Sequence, residues 1–271
     1  YRPQSPEELY ETMKTAFEQM QTGRPGPVFV SVPMDVQANA SEVAEPSKTL
    51  DTRTPEELDV PQLRQAAELL IRAQRPVILA GGGVTSARAE TELLMLAEFL
   101  GAAVVTTLQA KGCFPEDHPL YAWHPGTKGT SVANELTKSA DVILAVGCRF
   151  TDQTSSSFRS NVTFNIPPSS LIHLDIDQGE IGKNYPPDVA IVADASNGLE
   201  TLLDECQKID EKRDWESSEY CAEIKKLRDL WLAEIAPMRD SEMKPPTIPR
   251  FYRELRSVLD RDAIVVTSSG H

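Results

Sequence analysis

The chain has 271 residues, enough for one large domain or two ordinary ones, and no apolar run approaches the roughly 18 residues of a membrane helix. The 27 basic and 41 acidic side chains leave a net charge of −14, which excludes nucleic acid and anionic membrane as expected partners. It does not exclude a phosphate ligand, because backbone amides hold phosphate on an acidic protein as well.

Tyr1 to Glu11 is polar and lacks the apolar centre of a signal peptide, and the chain opens on Tyr1 rather than Met, so a longer parent is expected. Ser5-Pro6-Glu7-Glu8 reads as a capping box, and Leu9, Met13, Ala16, Phe17 and Met20 fall on one helical face behind it. Gly23 to Pro27 stops that helix, and Val28 to Val32 is expected as a strand. A helix, a turn and a strand close no core alone, so residues 1–37 read as the remnant of a domain. Residues 38–60 have no period and carry Pro46 and Pro55, which marks a linker.

From 61 to 208, helical and strand signals alternate. Leu63, Ala66, Ala67 and Leu70 mark a helix, and Pro76 to Ala80 an apolar strand running into Gly81-Gly82-Gly83. A helix over Thr91–Leu100, ended by Gly101, precedes a strand over 103–107. A helix over 132–139, strands over 142–146, 171–176 and 189–192, and a helix over 195–206 follow. Strands that are apolar throughout and separated by helices imply a parallel sheet covered on both faces, an α/β doubly wound domain of about six strands. Beyond it, 209–271 holds a charged helix over 214–236 with Ile224, Leu227, Leu230, Trp231 and Ile235 on one face. A break at Pro245-Pro246, a helix over 248–259 and a strand over 263–267 complete the chain.

In open α/β sheets, ligands bind beyond the carboxyl ends of the strands. Gly81, Gly82 and Gly83 follow a strand there, serving either ligand approach or a tight turn. Thr107 and Leu108 end the next strand, as ligand contacts or as strand capping. Gly126-Thr127-Lys128-Gly129 is a loop suited to a diphosphate, or a solvated loop, and is not a P-loop. Gly147 and Arg149 follow a third strand, the arginine either clamping a phosphate or pairing on the surface. Asp175 ends a fourth, where a carboxylate accepts from ribose hydroxyls; Asp175 and Asp177 find no third group to make a metal site. His118, His124, His173 and His271 are scattered, and His173 lies in an apolar strand, as a structural residue does. Cys113, Cys148, Cys206 and Cys221 form no C-x-x-C pair and have no zinc-spaced histidine, so they read as thiols of a reducing cytoplasm. No residues of this chain form a self-sufficient catalytic group.

Four stretches, in order along the chain, resemble the thiamine-diphosphate-dependent enzymes of the acetolactate synthase type. Gly23-Arg24-Pro25-Gly26-Pro27-Val28-Phe29-Val30 resembles the segment closing the pyrimidine-binding domain. Arg75 to Gly83 resembles the opening of the central domain. Ile172-His173-Leu174-Asp175-Ile176-Asp177, followed by Glu180-Ile181-Gly182-Lys183-Asn184, is similar to acetolactate synthases. Val265 to His271 resembles the start of the diphosphate-binding domain.

The resemblance implies a cytoplasmic homo-oligomer that acts on 2-keto acids with thiamine diphosphate and Mg2+. Dione hydrolysis or acetyl transfer on the same cofactor is the alternative within the family; a stand-alone nucleotide-binding or regulatory module is the alternative outside it. The family's metal-binding Gly-Asp-Gly is absent from this chain, as is the segment expected to carry its activating glutamate, so the chain alone is expected to be inactive. The central domain is expected to hold FAD or another adenine nucleotide through Gly81, Gly82, Gly83, Thr107, Leu108, Gly126, Lys128, Gly129, Gly147, Arg149, Asp175, Ile176, Glu180 and Asp194. Gly270 and His271 would lie near the thiamine diphosphate. The family's Gly-Met-His-Gly aligns with Gly126-Thr127-Lys128-Gly129, and its Arg-Phe-Asp-Asp-Arg with Arg149-Phe150-Thr151-Asp152-Gln153. The chain thus lacks an Asp and an Arg of the pattern, and is expected to be a relative of the acetolactate synthases in which Lys128 restores a positive charge.

Overall fold

A computed structural model describes residues 1–42 and 58–266. Five parallel strands form one sheet: β1 (Pro76–Ala80), β2 (Ala103–Thr106), β3 (Val142–Val146), β4 (Ser170–Asp175) and β5 (Val189–Val192), in the order β2-β1-β3-β4-β5. β1, β2 and β3 are buried at every position, as a sheet covered on both faces requires.

Of the roughly six strands expected, five form among the described residues. Residues 120–123 run beside β2, through Val104 N–H to Leu120 O (2.8 Å), Ala122 N–H to Val104 O (2.8 Å) and Thr106 N–H to Trp123 O (2.9 Å), but form only the single parallel bridge Val104–Tyr121. The expected strand over 28–32 is extended but unpaired by any sheet; Tyr1 is its backbone partner, donating to Phe29 O at 2.8 Å and accepting from Ser31 N–H at 2.9 Å. A strand needs a neighbouring edge, and none of the described residues offers one there. Residues 263–266 are likewise unpaired, and Thr267 lies outside the described residues.

The helices form where caps and apolar spacing agree. α1 is Pro6–Gln21 and α2 Met34–Ala38. In α3 (Val60–Arg72), Asp59 accepts from Gln62 N–H at 3.1 Å, and Leu63, Ala66, Ala67 and Leu70 are fully buried. Each such leucine contributes about 2 kcal/mol by leaving water. α4 (Gly82–Ala87) is short and ends on Arg88 in the left-handed region (φ 56°). α5 (Glu90–Leu100) ends on Gly101 (φ 64°). α6 (Ser131–Ser139) is capped by Thr130 and α7 (Ala195–Ile209) by Asp194. α3, α5 and α7 share one core with one face of the sheet.

The opposite core is closed by Trp215 and by Ile224 of α8 (Glu219–Arg239). Leu230 departs from the expected apolar face of α8, being 58% exposed. Arg75 holds α8 through a two-pronged pair with Glu223, and Arg228 donates to His118 O and Pro119 O at 2.6 and 2.8 Å. α9 (Ile248–Val258) packs on α8 and buries none of its residues.

Candidate functional site

Strand order 2-1-3-4-5 reverses direction between β1 and β3, and the crevice beyond the carboxyl ends at such a reversal is where doubly wound sheets take ligands. The register pairs Ala80 with both Thr106 and Val146, and Val146 with Leu174. Thr107, Gly81, Gly147 and Asp175 therefore end neighbouring strands in one row. Asp194 follows β5 and caps α7 by accepting from Ser196 N–H at 3.0 Å.

The glycines of this row pack on each other first. Gly81 N–H donates to Val146 O at 2.8 Å and Gly83 N–H to Gly147 O at 3.2 Å. A Cβ on Gly81 would lie 2.1 Å from Gly147 O, one on Gly83 would lie 2.6 Å from Gly147 Cα, and Gly147 is itself left-handed at φ 56°. Gly81 and Gly83 make a tight backbone crossing, the turn reading of the triple glycine, while a Cβ on Gly82 would meet the Gln109 side chain at 3.3 Å.

The parallel run of 120–123 delivers the next loop to this same edge. Gly126 (φ 105°) has no room for a side chain, since a Cβ would lie 2.0 Å from Gln153 O, and Thr127 N–H donates to Gln153 O at 2.9 Å. Gly129 N–H closes the turn on Gly126 O at 2.9 Å. Lys128 and Arg149 are both exposed, and among the described residues neither ammonium nor guanidinium has an ion-pair partner. Both cations stand on loops that follow strands of this edge, which also carries the carboxylates of Asp175, Asp177 and Glu180.

Asp175 is 6% exposed. Burial is the largest influence on its carboxyl and raises its pKa, while the Asp177 N–H that its Oδ1 accepts (2.9 Å), His173 and Arg24 pull the other way. Beside it, Ile176 is half-buried. Thr107 is nearly buried and its N–H donates to Ala80 O (2.9 Å), whereas Leu108 opens a short 3-10 turn with 55% of its surface exposed. Glu180 is committed to cations of this chain, to Arg24 at 3.2 Å and Lys183 at 3.3 Å. Gly270 and His271 lie outside the described residues.

His173 is a structural clamp. A carbonyl only accepts, so the 2.9 Å contact with Cys148 O places the ring proton on Nε2, and Nδ1 then accepts from Gly182 N–H at 3.4 Å. Asn184 reinforces the same joint by donating to Arg149 O and Phe150 O, each at 3.1 Å. Burial is the largest influence on His173 and lowers its pKa. Its neutral form therefore goes with the folded state: as pH falls through the unfolded value, about 6.5, the unfolded chain takes up the proton first and stability drops, the loss ending below the lowered folded value. The urea midpoint is expected to fall between pH 7.5 and 5.5 in the parent sequence and to fall less in His173→Gln; equal drops in the two would remove His173 as the cause.

Three residues not marked by spacing also enter this edge. Arg24 reaches Glu180 and, at 3.7 Å, Asp177; it sits in the Gly-Arg-Pro-Gly-Pro stretch, which was the available signal. Asn134 of α6 holds the Gly126 loop from below. Glu92 of α5 accepts from Ser196 Oγ at 3.4 Å through Oε1, while its Oε2 is buried without a partner among the described residues. No sequence pattern singled out the last two.

A cavity of about 610 Å3 lies at the opposite, amino-terminal edge, beside Arg75, Gly101, Arg213 and Tyr220. Its arginines are already engaged, Arg75 by Glu223 and Arg213 by the carbonyls of Ile71, Ala73 and Leu100 at 2.5, 3.0 and 3.2 Å. The buried thiols of Cys113, Cys148 and Cys206 are each pushed up to about 12 by burial, which leaves them protonated and unreactive at neutral pH. No three metal-binding side chains converge among the described residues, and no described helix is long and apolar enough to cross a membrane.

Sheet order, glycine crossing and edge loops together define a doubly wound α/β domain whose strand order reverses between β1 and β3. The chain belongs to the thiamine pyrophosphate enzymes, acetolactate synthase-like, and matches that family's central domain over residues 63–202. It is 41% identical to a probable acetolactate synthase large subunit of Methanocaldococcus jannaschii, over 100% of this chain and 46% of the relative. It is 37% identical to the acetolactate synthase large subunit of Corynebacterium glutamicum, over 83% of this chain and 35% of that one. A glyoxylate carboligase of Escherichia coli O157:H7 is 32% identical over 95% of the chain and 42% of its own length. The chain thus spans less than half the length of these curated relatives.

Proposed function

We propose that this chain is the interior part of a thiamine-diphosphate-dependent carboligase or decarboxylase of 2-keto acids. In this reading, residues 1–37 close the pyrimidine-binding domain, 38–60 link, 61–208 are the central domain, and 209–271 lead into the diphosphate-binding domain. The observation that carries it is the 41% identity that runs over the whole chain, through both flanking segments as well as the central sheet. Thiamine diphosphate, when bound, supplies the carbanion equivalent and the ring that stabilises it. The described residues offer no magnesium ligand set, and Gly270 and His271 lie beyond them, so no chemical step is assigned to this chain.

Its own part is framework and nucleotide binding. Asp175 as acceptor for ribose hydroxyls, with Lys128 and Arg149 as unpaired cations, fits the ribose and diphosphate shared by FAD and other adenine nucleotides. A cytoplasmic homo-oligomer, as the family resemblance implies, belongs to the same proposal.

The parent protein, supplied with thiamine diphosphate and Mg2+, is expected to convert pyruvate to acetolactate, and the 271-residue chain to convert none. The relative named glyoxylate carboligase makes glyoxylate the second substrate to offer. Turnover of neither acid by the parent, or turnover of either by the chain alone, would sink the proposal.

A further inference from the structure

Asn134 sits on α6, beneath the Gly126–Gly129 loop rather than in it. Its Oδ1 accepts from Gly126 N–H at 2.8 Å and its Nδ2 donates to Gly126 O at 3.2 Å. A backbone N–H only donates and a carbonyl only accepts, so the amide has one orientation and grips both polar groups of a single residue. The grip is backed by a buried chain. Thr163 Oγ1 donates to Asn134 Oδ1 at 3.0 Å, so its other contact, with Ser156 Oγ at 2.7 Å, is one in which Ser156 donates. Thr163 is fully buried and Ser156 is 8% exposed. Thr137, one turn along α6 and also fully buried, donates to Thr163 O at 2.6 Å and holds that segment against the helix.

Gly126 is the residue where this control matters. With φ at 105° and the backbone of Gln153 and Thr154 filling the space where a Cβ would stand, it occupies a conformation that only glycine tolerates, and a glycine has little preference of its own to stay there. The two bonds from Asn134 supply that preference, and Lys128 follows two residues later.

We propose that Asn134 is the positioning residue of the Gly126–Gly129 loop: it fixes where Lys128 stands at the carboxyl edge, and Thr163 and Ser156 carry the setting of the 151–163 loop to it. The proposal rests on the nucleotide reading only for what Lys128 meets; the grip itself stands on the distances above. Aspartate is no substitute, since its second oxygen would face Gly126 O. Loss of such a part-buried bond pair corresponds to about tenfold in a local equilibrium.

The test combines amide hydrogen exchange with calorimetric titration of ADP, on the full 271-residue chain. Asn134→Ala is expected to speed exchange at Gly126, Thr127 and Gly129 by at least about tenfold, with β3 amides such as Leu144 changed far less, and to weaken ADP by about tenfold. Asn134→Asp is expected to behave like Asn134→Ala. Thr163→Val, which keeps the shape and removes the bond to Asn134 together with the one from Ser156, is expected to give a smaller change of the same kind at Gly126, and serves if the Asn134 variants do not fold. Exchange at 126–129 that is unchanged, or that rises only in step with Leu144, overturns the proposal. Loosening of the loop in a chain that never bound ADP would uphold the positioning role and refute the nucleotide reading.

Discussion

Gly81→Ala is expected to remove more than about 3 kcal/mol of folding stability, a large share of the roughly 5–15 kcal/mol that a domain possesses. The added methyl would lie 2.1 Å from Gly147 O and 2.6 Å from Cys148 Cα. Both obstacles are backbone, so no side chain can rotate away, and relief requires β1 and β3 to part where their ladder ends. Gly147 meets the reciprocal limit, its own Cβ falling 2.5 Å from Gly83 Cα at a φ of 56°. Gly26→Ala is the control, since nothing lies within 4 Å of the new atom and its φ is ordinary; its effect is expected within about 0.5 kcal/mol of zero. Urea midpoints at equal slope make the comparison. A Gly81→Ala chain as stable as the Gly26→Ala control would mean that the crossing of the two turns is not held closely, and the geometry argued for the edge would fall with it.

The same crossing shows what was readable in the residues alone. Apolar runs such as Pro76–Ala80 and Val142–Val146, each alternating with a helix, imply the parallel sheet, because a strand buried on both faces leaves no polar alternation. Val28–Val32 carries an equally apolar composition and forms no strand, since pairing depends on an edge that composition does not describe. Residues 120–123 show the converse: beginning Leu-Tyr-Ala-Trp, they gave no strand signal, yet β2 offers an edge and they bond along it. At the ligand edge, glycines stand out in the sequence, but whether they spare room for a ligand or for another strand's backbone depends on Gly147, 64 residues beyond Gly83 in the numbering. Glu180 was legible as a polar residue of the edge, while its pairing with Arg24 joins positions 156 apart. Asn134 gave no signal because a helical asparagine acquires meaning only from the loop lying over it.

Asp175→Asn is expected to move stability and binding in opposite directions. Asp175 lies in a site 6% exposed, where burial raises the pKa of its carboxyl above the ordinary value. A raised carboxyl pKa means that the folded state holds the proton more tightly than the unfolded one. The ionised group therefore costs stability above its folded pKa, and the cost vanishes as pH falls to the unfolded value, about 3.9. Asparagine keeps an oxygen for the Asp177 N–H bond of 2.9 Å and carries no charge to desolvate. The urea midpoint of Asp175→Asn is thus expected above that of the parent sequence at pH 7.5, with the gap narrowing on acidification. A buried charge kept at a cost to folding marks a residue held for another purpose. If that purpose is accepting from ribose hydroxyls, the same substitution is expected to weaken ADP by at least about tenfold, because a charge-assisted bond is replaced by a neutral one and half of the acceptor becomes a donor. A variant that is less stable at pH 7.5 would show that the charge of Arg24 outweighs burial, and that the carboxylate is structural. A variant that is more stable but binds ADP as before would leave the buried charge real and move the nucleotide elsewhere along the edge, toward Lys128 and Arg149.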